Sequence, residues 1–344
     1  MQSLLSLLLA LSLSCFTSAV QFSSKSTAKN VVDAFSGGRG SSFLSGKTAL
    51  VTGGNAGIGL ETCKALASAG CRVIMCSRSV KAGEEAIETE LKNPGLDGTY
   101  QISAADAANN VVVKQLDLAD LESVRRLTAD VLASEPAIDY IVLNAGIMSL
   151  PSLERTANGW EKQMGVNHFG HAFLIKKMLP FLGAQTSRPT RVVVLASTAH
   201  KFASEHPLQD PTYKSRSYTP WVAYGDSKLA NLVWTKGLAK HLVDVGFGHV
   251  TALSVHPGVI KTALWNQSIV NRIFGLFVGD RGVPEGAAST VWACLSPRGE
   301  DASLRGAYIV DCAPAAPLEM ASSDALRDEV WAQTEAELGR VGAE

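Results

Sequence analysis

Short apolar runs rich in β-formers alternate along this chain with stretches of helical periodicity. The runs are 48–52, 72–76, 111–116, 138–143, 192–196, 250–255 and 307–310. Between them, segments such as 60–68 and 80–91 repeat apolar residues at helical spacing, and a further helix begins near Glu285. Near-continuous apolar strands separated by helices predict a parallel sheet covered on both faces. The expected fold is α/β, a single Rossmann-type doubly wound sheet of about seven strands, occupying 47–344 as one domain.

The chain opens differently. Residues 1–24 carry no charged side chain, and 4–20 is a Leu-rich apolar run. That run is shorter than the roughly 20 residues of a membrane-spanning helix. Thr17, Ser18 and Ala19 form a small-residue site of the kind signal peptidase cuts. Residues 1–19 are therefore expected to be a signal peptide or a signal anchor. From Gln21 to Lys47 there are seven serines, four basic residues and one acid. This composition fits a transit peptide or a flexible linker over 20–46. The compartment expected is the secretory pathway and its membrane, or a plastid reached by a two-part leader. Membrane association through the N-terminal segment follows from the anchor reading.

Composition narrows the function classes. The chain is 46% hydrophobic and 18% charged, with a formal net charge of -1. Disorder is excluded, and nucleic-acid binding lacks its basic excess. The six cysteines form no CxxC pair, and no His, Asp or Glu cluster has zinc spacing. No metal is expected, and five of the cysteines read as buried free thiols.

Candidate chemistry begins at Thr52-Gly53-Gly54-Asn55-Ala56-Gly57-Ile58-Gly59, between the first strand and the first helix. Glycine permits positive φ and close backbone approach to a pyrophosphate, and the following helix directs its N-terminal amides at that phosphate. Gly53, Asn55, Gly57, Ile58 and Gly59 are the candidate phosphate loop. The second strand ends Cys76-Ser77-Arg78, where a free ribose 2′-hydroxyl would call for Asp or Glu. A guanidinium pairs with a 2′-phosphate instead, so Arg78 favours NADP(H) over NAD(H). Asp117 ends the third strand as a cofactor contact or as the N-cap of the next helix.

Tyr224 and Lys228 stand at i and i+4 in a helical stretch, so both side chains lie on one face. A nearby ammonium favours the phenolate, which would fit Tyr224 to exchange a proton with a substrate oxygen. Ser197 follows the strand at 192–196, at the carboxyl end where a hydroxyl can meet a substrate carbonyl.

These motifs together resemble the short-chain dehydrogenase/reductase family, from about Lys47 to Ala307. The stretches VNHFGH, YGDSKLAN and HPGVIKT are similar to its retinol dehydrogenase-like branch, which borders the WW-domain oxidoreductases. The resemblance implies that Asp117 contacts the adenine and that Asn144-Ala145-Gly146 lines the cofactor cleft. It implies that Asn167 joins Ser197, Tyr224 and Lys228 in catalysis by holding a relay water. Pro257, Gly258, Val259 and Thr262 would contact the nicotinamide end, with Tyr224 and Lys228 also touching the cofactor. His168 and His171 read as packing residues. Related enzymes pair through the helices carrying Asn167 and Tyr224, so a homodimer is expected. The apolar stretch 264–278 lies where the family places a lid. It implies a small lipophilic alcohol or carbonyl as substrate, such as a retinoid, sterol or fatty aldehyde. A protochlorophyllide-reductase-like pigment reductase and a non-catalytic NADP-sensing scaffold are the alternatives. Residues 93–110 read as a polar surface insertion.

Overall fold

A computed structural model describes residues 21–37, 39, 42–91, 110–260, 281–296 and 302–342. The leader at 1–19, most of 93–110, Thr262 and the expected lid at 264–278 lie outside the described residues.

The strands are β1 (Thr48–Thr52), β2 (Arg72–Ser77), β3 (Val111–Gln115), β4 (Tyr140–Leu143), β5 (Thr190–Leu195), β6 (Val250–His256), β7 (Tyr308–Val310) and β8 (Ala313–Pro314). They form one sheet in the order β3-β2-β1-β4-β5-β6-β7-β8. β1 to β7 are parallel, and β8 alone is antiparallel, folding back on β7. The expectation of about seven strands misses β8, which is two residues long and exposed. Its tight reversal rests on Asp311 and Cys312, with φ of 51° and 61°, the left-handed pair that a two-residue hairpin turn needs.

The helices are α1 (Ala28–Ser36), α2 (Gly57–Ser68), α3 (Val80–Ala86), α4 (Leu121–Ser134), α5 (Lys162–Met164), α6 (Gly170–Ala184), α7 (Pro220–Asp244), α8 (Val283–Leu295) and α9 (Asp324–Arg340). α5 runs into α6 through a π turn at Gly165–Phe169. The strands alternate with period two. Leu50, Ile74, Ile141, Val192 and Ala252 face one apolar cluster with α4, α6, α7 and α9. Ala49, Val73, Val142, Val193 and Leu253 face another with α1, α2 and α8.

The expected start of the fold near Lys47 needs correction. Helix α1 lies inside the segment whose composition reads as a linker. Thr27 caps it by accepting the Asn30 amide, and Asn30 returns a bond to the Thr27 amide. Its apolar residues Ala28, Val31 and Val32 are buried against α8 and α2. Asn30 and Asp33 take its exposed positions, and the serines and lysines of the surrounding segment hide this stripe from a count of composition.

Helix α9, with no counterpart in the sequence reading, lies along α7 and reaches α6. Lys176 of α6 pairs with Glu335 at 2.9 Å, and Trp331 stacks on Trp234 of α7. The helices expected to pair in a dimer are thus partly covered by the chain itself. The five described cysteines, 63, 71, 76, 294 and 312, are buried and free, as expected. Among the described residues no helix is long and apolar enough to cross a membrane.

Candidate active site

A cavity of about 490 Å³ opens at the carboxyl ends of β1 to β6. The order reverses there, β1 sitting between β2 and β4, which is where open α/β sheets bind ligands. Its floor is the glycine turn. Gly53 and Gly57 have φ of 64° and 53°. A Cβ on Gly59 would lie 2.2 Å from the Gly53 carbonyl and 2.5 Å from Asn144 Nδ2, so the turn closes only around glycine. Ala56, Gly57 and Ile58 line the cavity at the N-terminus of α2, whose first amides have no side-chain cap. Such a terminus suits a pyrophosphate.

Thirteen of the expected cofactor residues line this one cavity: Gly53, Asn55, Gly57, Ile58, Gly59, Arg78, Asp117, Asn144, Ala145, Gly146, Tyr224, Lys228 and Pro257. Gly258 and Val259 do not reach it. Gly258 has φ of 94°, and a Cβ there would meet the Arg281 guanidinium at 2.7 Å. That guanidinium is held by Asp311 at 2.6 Å. Asp117 is not the cap of α4. Its Oδ1 accepts the Ala119 amide, and Asp120 is the cap, accepting the Glu122 amide.

At one end of the cavity the β2 terminus presents buried Ser77 and exposed Arg78 and no carboxylate of its own; the carboxylate lining this end is Asp117, just beyond β3. At the other end Tyr224 and Lys228 project from one face of α7, both buried. Ser197 does not line the cavity itself but stands beside Tyr224, where its hydroxyl favours the phenolate; its Oγ accepts the Ala199 amide at 3.2 Å. Lys228 Nζ lies 5.7 Å from the Tyr224 ring centroid and donates to the Leu195 carbonyl at 2.9 Å. Burial pushes Tyr224 up to about 12, with the Ser197 bond opposing, and pushes Lys228 down to about 8. The lowered value expected of Tyr224 rests on Lys228 together with the oxidised nicotinamide ring. In the protein alone desolvation outweighs the ammonium.

Asn167 sits in the π turn rather than in regular helix, buried and not among the residues lining the cavity. Nδ2 donates to the Ile147 carbonyl and to Ser227 Oγ at 2.9 Å each, and Oδ1 accepts the Ile147 amide at 2.9 Å. It thus ties the end of the Asn144-Ala145-Gly146 turn to α7 between Tyr224 and Lys228. His168 and His171 are buried, and among the described residues no cluster fits a metal. Lys162 and Val166 also line the cavity and were missed. They approach from α5 and the π turn, and no motif marks them. An apolar patch of Met148, Ala199 and Trp221 surrounds Tyr224, with the Trp221 ring edge-on at 6.1 Å.

Residues 47–272 match the family described as short chain dehydrogenase. Retinol dehydrogenase 11 of Mus musculus is 38% identical over 272 residues, 78% of this chain and 79% of the relative. A chloroplastic short-chain dehydrogenase of Brassica napus, TIC 32 A, is 33% identical across 83% of this chain and 86% of its own. The Pseudomonas aeruginosa protein RhlG, solved with NADP in its active site, superposes with a TM-score of 0.57 at 26% identity, covering 77% and 94% of the two chains. The chain belongs to the short-chain dehydrogenase family of oxidoreductases, in its retinol dehydrogenase-like branch.

Proposed function

We propose that this oxidoreductase uses NADP(H) to interconvert an alcohol and a carbonyl on a small lipophilic molecule, with Tyr224 as the acid and base. The observation that carries the reading is that Tyr224 and Lys228, with Ser197 beside Tyr224, stand at one end of a cavity whose other end carries Arg78 and no carboxylate on the β2 terminus.

The residues present fit a dinucleotide. The cap-free amides of α2 suit the pyrophosphate, Arg78 suits a 2′-phosphate, and Asp117 stands at the adenine end. The bound nicotinamide would supply or accept the hydride, and its oxidised ring would add positive charge beside Tyr224. In reduction the Tyr224 phenol donates its proton to the substrate oxygen, and in oxidation the phenolate takes it back. Ser197, beside Tyr224, would hold that oxygen with its hydroxyl. Lys228 stays largely protonated at neutral pH with its value near 8, so its charge favours the phenolate in the step that forms it.

The apolar patch of Met148, Ala199 and Trp221 favours a lipophilic substrate. The name of the retinol dehydrogenase relative points the same way. A leader confined to residues before α1, directing the chain to a plastid or to the secretory membrane, is part of this proposal. The chloroplastic relative favours the plastid, and N-terminal sequencing of the mature protein locates the cut.

The test is nicotinamide absorbance with retinal, long-chain aldehydes, steroids and small ketones. NADPH is expected to support turnover and NADH to support far less. Arg78→Ala should raise KM for NADPH about ten-fold or more, with NADH unaffected, because one charge-assisted contact is lost. Equal use of both cofactors by the wild type would overturn the NADP assignment. Cofactor binding without turnover on any substrate would favour the sensing scaffold.

A further inference from the structure

Beneath Tyr224 and Lys228 runs a closed chain of buried polar groups. Asn231 lies three residues beyond Lys228 on α7 and is 1% exposed. Its Nδ2 donates to two main-chain carbonyls, Asn167 at 3.0 Å and Leu195 at 3.2 Å. The Leu195 carbonyl is the same one that accepts Lys228 Nζ. The Asn167 carbonyl also accepts His171 Nδ1 at 3.0 Å. A carbonyl only accepts, so His171 carries its proton on Nδ1, and the bare Nε2 takes the Thr52 hydroxyl proton at 2.9 Å. Thr52 Oγ1 in turn accepts the Asn144 and Ala145 amides at 2.9 Å each. On the other side, Asn231 Oδ1 accepts His168 Nδ1 at 3.1 Å, and His168 Nε2 meets Thr334 Oγ1 of α9 at 2.9 Å.

The chain thus joins five separate pieces of the fold to α7: the β1 end, the β4 end, the π turn, the β5 end and α9. Asn231 is the only member that bonds to both carbonyls flanking the reactive pair. The amide has two N–H donors at a fixed angle, and both are spent on these carbonyls. Both lone pairs of the Asn167 carbonyl are filled by His171 and Asn231.

We propose that Asn231 is a positioning residue, its carboxamide clamping the Asn167 and Leu195 carbonyls so that Lys228 is held over Tyr224. The role rests on the proposed function of that pair. Without the Asn231 donors the Leu195 carbonyl is free to tilt, and the Lys228 ammonium moves with its acceptor.

Asn231→Leu keeps the volume and removes the donors. In the full chain with NADP bound, kcat is expected to fall about ten- to hundred-fold, since small displacements of catalytic groups cost that much. KM for the cofactor should change little, while the melting temperature should fall because the buried His168 Nδ1 loses its acceptor. The acid limb of the oxidation profile should move up by about half a unit or more, because the ammonium supports the phenolate less well. Thr334→Val, which removes the hydroxyl holding His168, should move the limb the same way by less. It also decides the matter if Asn231→Leu fails to fold. Unchanged pH profiles in folded variants, or cofactor affinity lost in step with kcat, would overturn the proposal while leaving Tyr224 as the acid and base. If the wild type turns over nothing, the functional reading fails first. Tyrosinate absorbance, taken as the difference from Tyr224→Phe, then reports the same upward shift or its absence.

Discussion

The two faces of the sheet are filled in different ways. The face under α4, α6, α7 and α9 contains the polar chain from Thr52 to Thr334, including two buried imidazoles. The face under α1, α2 and α8 is mostly apolar, with the thiols of Cys63, Cys71, Cys294 and Cys312 and one buried guanidinium, Arg191, which donates to the Ala293 and Cys294 carbonyls of α8 at 3.3 and 2.6 Å. Apolar packing tolerates volume-conserving change. A hydrogen-bonded network does not, because each lost partner leaves a buried polar group unsatisfied. The first face is thereby specified for chemistry and the second for cohesion.

Substitutions on each face should separate these roles. The largest effect belongs to Tyr224→Phe, which removes the transferable proton. Turnover should fall about a thousand-fold or more, with cofactor affinity and melting temperature nearly unchanged. Retained turnover would remove Tyr224 from the mechanism. On the opposite face Val31→Asp puts a charge into the fully buried contact of α1 with α8. Unfolding free energy should drop by about 3 kcal/mol or more, while kcat per folded molecule holds. A neutral result in urea unfolding would show that α1 contributes nothing to the domain.

The smallest effect is in pH dependence. Burial lowers His168 to about 4 and His171 to about 3, against 6.5 ordinarily. The unfolded chain then takes up protons first as the solution is acidified. The stability these residues contribute is complete above pH 6.5. It is lost below that at about 1.4 kcal/mol per pH unit for each histidine, down to its folded value. The thiols of the other face behave oppositely. Burial raises them, so their contribution holds below about pH 9 and is lost above it. Urea unfolding across pH should therefore show an acid slope that flattens in His171→Gln and an alkaline slope that does not. An acid slope unchanged by that substitution would mean the imidazole is not buried and neutral.

Legibility in the sequence follows the range of the interactions. The glycine turn, Arg78, Asn144 to Gly146, and the Tyr224–Lys228 spacing are local patterns, each set by one turn or one helix face. They converge on one cavity. Helix α1 was hidden because three buried residues in a Ser- and Lys-rich segment scarcely alter composition. Lys162 and Val166 reach the cavity only through the path of α5 and the π turn. Asn231 reads as one more residue on a long helix. Its importance comes from carbonyls 36 and 64 residues away in sequence, which no local pattern encodes.

The π turn at Gly165–Phe169 has a consequence for insertions and deletions. A π turn accommodates one residue more than an α turn. Removing a single residue there would let the helix close into regular α geometry with the faces of its two halves kept in register, at the cost of the widened backbone around Asn167. The Asn167 side chain would then leave Ile147 and Ser227. The length of this segment is thus under constraint as strict as the identity of its side chains, and a gap here in an aligned relative would mark a different active-site geometry.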